Sequence, residues 1–127
     1  MRVVSNVVLL ASLASFGAGA GWAVMQQQAT TRREPQLENT EVRVWKSIIM
    51  PKQPLTYHRH DHGRVLVALT DGELKVLDQD GKHIDTYRWE RGKAYWLGKD
   101  PPGKMHADVN EGTQPVEVIV AELKRDQ

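Results

Sequence analysis

The chain has 127 residues, with 17 Lys and Arg against 16 Asp and Glu and a formal net charge of +1. The length predicts a single domain, and the near-neutral charge argues against nucleic-acid binding, which needs an excess of cations. The chain contains no cysteine, which excludes disulfides and Cys-ligated zinc or iron–sulfur sites.

Residues 1–28 differ in composition from the rest of the chain. Arg2 precedes a stretch that is almost entirely apolar or small, and Ala18-Gly19-Ala20 places small residues where a signal peptidase reads them. This pattern predicts a secretory signal peptide over residues 1–20. Two alternatives stay open, namely an uncleaved membrane-anchor helix over residues 3–24 and a buried core helix. Cleavage or anchoring would each export the protein, to the periplasm or to the periplasmic face of the inner membrane.

A polar segment without periodicity follows the apolar one. Residues 21–39 include Gln, Thr and Arg runs and one proline, and we expect a flexible tether there. The folded domain is expected over residues 40–124. A domain of this size buries a limited share of its surface, which makes a homodimer a reasonable expectation.

The predicted domain has the pattern of an all-β protein. Turn residues recur about every 8 to 12 positions, and no window shows a sustained helical period, which is typical of a sandwich or barrel. The predicted strands are Glu41–Met50, Arg64–Thr70, Glu73–Asp78, His83–Glu90, Ala94–Leu97 and Val116–Leu123.

Histidines are concentrated in one short stretch. His58, His60 and His62 occupy alternate positions, and His106 lies far along the chain. Alternate residues of a strand point to the same face, so neighbouring imidazoles of this run can share an ion. Neutral imidazole suits divalent transition metals, and we predict a site for Fe, Mn, Ni or Zn.

Two motifs give the chain a specific resemblance. Residues 101–110 match the pattern P-x-G-x2-H-x3-N through Pro101, Gly103, His106 and Asn110. His58-x-His60, followed at the right distance by Gly72, matches parts of the pattern G-x5-H-x-H-x(3,4)-E-x6-G. The chain therefore resembles the cupin superfamily over about residues 41–123. The resemblance implies a small β-barrel or jelly roll of two antiparallel sheets.

The first motif departs from the family pattern. Its metal-binding glutamate falls on Val65 and its leading glycine on Lys52, so the usual site of three histidines and one glutamate cannot form as written. The resemblance leaves His58, His60 and His106 as ligands, an arrangement by which cupin-fold thiol dioxygenases hold iron. His62 ranks below them, as a fourth ligand, a supporting group or a surface residue.

The substrate-binding candidates are Arg64, Tyr57 and Tyr95, whereas strand alternation points Arg59 away from the histidines. No catalytic residue is assigned. Together with the export signal of residues 1–20, the resemblance implies an exported metal-binding cupin, either an oxygenase or another metal-dependent enzyme such as an isomerase, acting on a small polar or carboxylate molecule. One alternative is a non-catalytic envelope module that binds a metal or small ligand with a degenerate barrel. Another is a set of surface histidines that binds nothing.

Overall fold

The computed structural model describes residues 30–125. The predicted signal peptide or anchor, with the first part of the predicted tether, lies outside the described residues. Within residues 30–125 there is no α-helix, and no membrane-crossing helix is found among them.

Eight strands make up the described part of the chain. They pair only in antiparallel fashion, which confirms the prediction of an all-β fold with two antiparallel sheets. One sheet has the order β1-β2-β8-β3-β6 and the other the order β5-β4-β7. The bounds are β1 Arg32–Glu38, β2 Val42–Ile49, β3 Arg64–Ala68, β4 Gly72–Leu77, β5 His83–Trp89, β6 Ala94–Leu97, β7 Ala107–Val109 and β8 Val116–Leu123.

Alternation along the strands creates the core. In β8, Val116, Val118 and Val120 are buried at every second position, as expected for a strand with one inward face. The same parity turns Glu122, close to the end of this strand, toward the interior. The buried core cluster comprises Trp45, Ile49, Leu66, Ala68, Leu74, Trp89, Val116, Val118 and Val120.

The expectation of a flexible tether over residues 21–39 is wrong for its second half. Residues 32–38 form β1, which pairs with β2 and places Arg33 opposite Ser47. β1 is an edge strand whose side chains are almost all exposed, so it carries no hydrophobic alternation that a sequence pattern could reveal. Because paired residues project to the same side of a sheet, Arg33 shares the inner side with buried Ser47.

Candidate metal centre

Three of the predicted ligands come together in the structure. One ring nitrogen from each of His58, His60 and His106 lies within 4.8 Å of the other two. The ring centroids are 4.5 Å apart for His58 and His106, and 5.0 Å apart for His58 and His60. His60 and His106 are each only 5% exposed, so the cluster lies inside the protein. His62 is not a member of this group.

The backbone that carries the first two histidines is not a continuous strand. Residues 59–63 have no strand pairing, and His58 makes only an isolated bridge to His106. The expected strand alternation is therefore wrong in detail, although His58 and His60 still converge. Arg59 shows the consequence, because it lines the same open cavity as His60 rather than facing away from it.

Each of the three imidazoles is held by an oxygen at Nδ1. Nδ1 of His58 is 2.7 Å from the Thr56 carbonyl oxygen, and Nδ1 of His60 contacts Oε2 of Glu122. Nδ1 of His106 lies 3.3 Å from Oδ2 of Asp100. An acceptor at Nδ1 places the ring proton there and leaves the Nε2 lone pair available to a metal. The three rings therefore present the same atom for ligation.

Two buried ring nitrogens of the site lack a hydrogen-bond partner, and nitrogen atoms of this kind are metal ligands. In the described part of the chain, Nε2 of His58 and Nε2 of His106 are buried without a hydrogen-bond partner. A buried polar atom without a partner is costly, and a metal ion would satisfy both atoms. Ligands about 2.1 Å from one tetrahedral ion are about 3.4 Å apart, so ring nitrogens that lie within 4.8 Å of one another would approach by up to about 1.4 Å to share an ion. The residues present therefore fit a transition metal.

Burial keeps two of the rings neutral. Desolvation lowers the pKa of His58 to about 4, against a smaller opposing effect of its Thr56 hydrogen bond. Desolvation also lowers the pKa of His106, with the charge of Asp100 opposing it. Neutral imidazole is the form that binds metals, so neither ring has to lose a proton at neutral pH.

Asp100 supports the cluster and was not identified from the sequence. Its Oδ2 accepts the backbone N–H of His60 at 2.7 Å, and its own N–H donates to the His60 carbonyl at 2.9 Å. The same Oδ2 lies near Nδ1 of His106, so one carboxylate contacts a histidine of the first motif and the histidine of the second. The available signal was its position directly before Pro101, at the start of the second motif.

Asp108 is the second acidic residue that the sequence analysis missed. It is 8% exposed, and desolvation raises the pKa of its carboxyl to about 6, against the opposing charges of Arg64 and Arg33. Its Oδ2 is 3.7 Å from Nε2 of His58, and its Oδ1 is 3.9 Å from Nε2 of His106. Its place two residues after His106 was the available signal, because alternate positions share a face.

The two departures from the first motif have different structural consequences. Val65 is 38% exposed on β3, between buried Arg64 and buried Leu66, so its side chain faces away from the histidines. Lys52, at the position of the leading glycine, has a φ of 59°. The backbone there thus keeps a conformation that favours glycine, although the residue has changed.

Of the three predicted substrate-binding residues, only Arg64 lines the cavity beside the histidines. Arg64 is buried, donates to the Gly98 carbonyl at 3.0 Å and lines the cavity beside the histidines. Tyr57 is 42% exposed. Tyr95 packs against the Trp89 ring, and its hydroxyl accepts the Glu90 N–H. Neither tyrosine lines the cavity beside the histidines. A pocket role for these two tyrosines is therefore not supported by the structure.

Two cavities adjoin the cluster. The inner one, of about 30 Å³, is lined by His58, His60 and Asp108 among others. An open one of about 490 Å³ lies on the other side of His60 and is also lined by Trp45 and Arg33. The guanidinium carbon of Arg33 lies 5.0 Å from the Trp45 ring centroid, and Arg33 lines both cavities. Arg33 therefore borders both cavities next to His60.

No protein-family model and no curated protein matches this sequence. Solved structures do resemble it. A cupin domain from Bordetella pertussis Tohama I is 24% identical, with a TM-score of 0.65, and the match covers 76% of this chain and 95% of that one. An RmlC-like cupin with a double-stranded β-helix fold from Methanocaldococcus jannaschii is 12% identical, with a TM-score of 0.57 and coverage of 77% and 84%.

A Cupin 2 conserved barrel domain protein from Salinispora arenicola CNS-205 is a third similar structure. It is 17% identical, with a TM-score of 0.51, and the match covers 72% of this chain and 74% of that one. The described domain has the cupin fold, the double-stranded β-helix.

Proposed function

We propose that this protein binds one divalent transition metal through Nε2 of His58, His60 and His106. The observation that carries the proposal is the convergence of three imidazoles whose Nδ1 atoms each face an oxygen, with two of the Nε2 atoms buried and unpaired. Three neutral nitrogen ligands suit Fe, Mn, Ni or Zn. Held on one side by protein, such an ion supplies Lewis-acid or oxygen chemistry to a molecule at its open positions.

The ligand class follows from the charges around the open cavity. Arg43 pairs with Glu38 and Arg59 pairs with Asp61, so their charges are already matched. Arg33 makes no ion pair within 4.0 Å among residues 30–125; its guanidinium lies over the Trp45 ring, and Asp108 and Glu122 are the acidic groups whose charges reach it. A guanidinium without a close ion pair beside an aromatic wall favours a small molecule with a carboxylate and an apolar part. We propose that such a molecule occupies this cavity next to His60.

A non-catalytic binding module is the second candidate, and the size of the inner cavity favours it. About 30 Å³ admits an ion or roughly two waters but no organic molecule. On this alternative the protein holds a metal for sensing or buffering, without turnover. The two candidates share the histidine site and differ in whether a ligand in the open cavity reaches it.

Metal analysis followed by a turnover assay distinguishes the candidates. Purified protein is expected to contain about one transition-metal ion per chain. The iron-loaded protein is then given a panel of small carboxylates and thiols while oxygen uptake is recorded, and the Mn, Ni and Zn forms are assayed for substrate loss. Substrate-dependent consumption selects the enzyme, and tight metal without turnover selects the module. Protein that takes up none of the four metals would contradict both.

We also propose export, from the composition of residues 1–28 alone. The mature N-terminus is expected near Gly21 if the signal peptide is cleaved, or at the start of the chain in a membrane fraction if it is an anchor. N-terminal sequencing after cell fractionation tests this. An intact Met1 in a soluble cytoplasmic fraction would contradict export.

A further inference from the structure

We propose that Asp108 is a fourth ligand of the same ion, so that the centre consists of three imidazoles and one carboxylate. This inference rests on the proposed metal site. It assigns the acidic ligand to the second motif, although the first motif, where the cupin pattern has its glutamate, carries Val65.

The position of Asp108 is set by β7. His106 immediately precedes that strand and Asp108 is its middle residue, so the two side chains are two positions apart and share a face. β7 pairs with β4 through Asp108 and Val76, which fixes the backbone at this point. The carboxylate therefore reaches the site from a rigid element of the three-stranded sheet.

Asp108 lies beside the group of ligand atoms within 4.8 Å of one another, which comprises the three histidines, and its distances to two of them are close to those of ligands that share an ion. Oδ2 lies 3.7 Å from Nε2 of His58, and Oδ1 lies 3.9 Å from Nε2 of His106. Both separations are too long for a hydrogen bond. Both exceed by only about 0.3–0.5 Å the roughly 3.4 Å that separates tetrahedral ligands at about 2.1 Å from one ion. An ion between these atoms would bond to both histidines and to the carboxylate.

A structural role for Asp108 is not supported by its contacts. In the described part of the chain, its ion-pair partners are His58 and His106 alone, and its Oδ1 has no hydrogen-bond partner. Three buried atoms of these residues lack a hydrogen-bond partner, namely Oδ1 of Asp108 and the Nε2 atoms of His58 and His106. The charges of Arg64 and Arg33 offset part of the cost of burying this carboxylate, and a metal ion would satisfy its unpaired Oδ1.

A carboxylate ligand changes which metal the site prefers. Oxygen donors suit harder ions such as Mn²⁺, and three imidazoles with one carboxylate suit Fe²⁺ and Mn²⁺ better than three imidazoles alone. The negative charge also reduces the net charge of the centre from two to one. We therefore expect the loss of Asp108 to weaken Mn²⁺ binding more than Zn²⁺ binding.

Asp108→Asn tests the assignment with little change in shape. Full-length apoprotein is titrated with Mn²⁺, Zn²⁺ and Co²⁺ by calorimetry, and the visible spectrum of the Co²⁺ form is recorded because its band intensities report coordination number. Asp80→Asn, in the exposed turn before β5, is the control for the loss of one negative charge. The variant is expected to bind Mn²⁺ at least about tenfold more weakly, with a changed cobalt spectrum.

The melting temperature of the apoprotein separates a ligand from a structural residue. If Asp108 is a ligand, Asp108→Asn changes the stability of the apoprotein little, since the carboxylate makes no close ion pair with Arg or Lys among the described residues. An Asp108→Asn protein with wild-type metal affinities and cobalt spectrum would overturn the inference and leave the three-histidine site standing. A wild-type protein that binds none of the metals would overturn the proposed function as well.

Discussion

His58 and His106 form a closed pair of backbone hydrogen bonds. The N–H of His58 donates to the His106 carbonyl at 2.9 Å, and the N–H of His106 donates to the His58 carbonyl at 2.8 Å. This isolated antiparallel bridge joins the loop of the first motif directly to the approach of the second. The side chains of the two histidines are therefore brought together by backbone geometry, before any ion is bound.

Removing a ligand is expected to remove the metal without unfolding the protein. His60→Ala and His106→Ala should each lower the bound metal more than about tenfold with a modest stability change, because each deletes a nitrogen donor. Elemental analysis of dialysed protein measures the metal content. His83→Ala, on exposed β5, is the matched control. Unaltered metal content in both ligand variants would mean that the site is elsewhere.

Glu122 is expected to act on the metal through His60. Glu122→Gln keeps the size of the side chain but replaces the carboxylate at Nδ1 of His60 with an amide. Loss of such a supporting carboxylate typically lowers metal affinity by about 10–100-fold, and we expect the lower end of that range. Glu117→Gln, an outward acid of the same strand that pairs with Lys46, is the control. Equal Zn²⁺ affinity in both variants would show that Glu122 does not support the ligand.

Lys52→Gly is expected to stabilise the protein. Lys52 has a φ of 59°, in the left-handed region that costs a non-glycine residue roughly 1 kcal/mol, partly offset by the larger unfolded-state freedom of glycine. Its N–H bond to the Asn110 carbonyl, at 2.7 Å, remains in the variant. Urea denaturation should show a rise of about 0.5–1 kcal/mol in the free energy of unfolding. Lys52→Ala keeps the unfavourable φ and should show no gain, so a gain in both variants would refute the explanation.

Asn110 is expected to stabilise the fold rather than bind the metal. Its Nδ2 donates to the Ile49 carbonyl at 2.9 Å and to the Gln114 carbonyl at 2.7 Å, and its Oδ1 accepts the Gly112 N–H at 2.9 Å. Asn110→Ala leaves these buried groups unpaired and should lower the free energy of unfolding by about 2–4 kcal/mol. Asn110→Asp should be worse, because it turns an acceptor toward two carbonyls. Chemical denaturation of both variants ranks them, and the reverse order would contradict this role.

The fold was predictable wherever the sequence alternates or turns. β6 and β8 have the predicted bounds, and the other four predicted strands differ from the structure by one or two residues at one or both ends, whereas the three-residue β7 was not predicted. β1 was not predictable in the same way. Its side chains are exposed and it is held to β2 by backbone hydrogen bonds, which leave no pattern in the residue types.

The site was predictable through its histidines but not through its acids. The two motifs identified His58, His60 and His106, which the structure brings together. Asp100 and Glu122 contact the histidines from segments 40 and 62 residues distant from His60. Such contacts depend on the three-dimensional packing of the two sheets, which the sequence pattern does not show. Asp108 was within reach of sequence reasoning, because alternation from His106 places it on the same face.

Arg33 is expected to recognise the anionic part of a small ligand. Its guanidinium lies over Trp45 and lines both the open cavity and the inner one, and within residues 30–125 no carboxylate pairs with it. Arg33→Met should therefore weaken the binding of small carboxylates to the metal-loaded protein by about tenfold or more, since a charge-assisted hydrogen bond is worth about 1.5–3 kcal/mol. Arg43→Met alters the same cavity but removes a cation already paired with Glu38, so it should change the affinity little. Calorimetric titration with a series of aliphatic and aromatic carboxylates measures both. Equal losses in the two variants would indicate a general charge effect, and no loss in either would place the ligand outside this cavity.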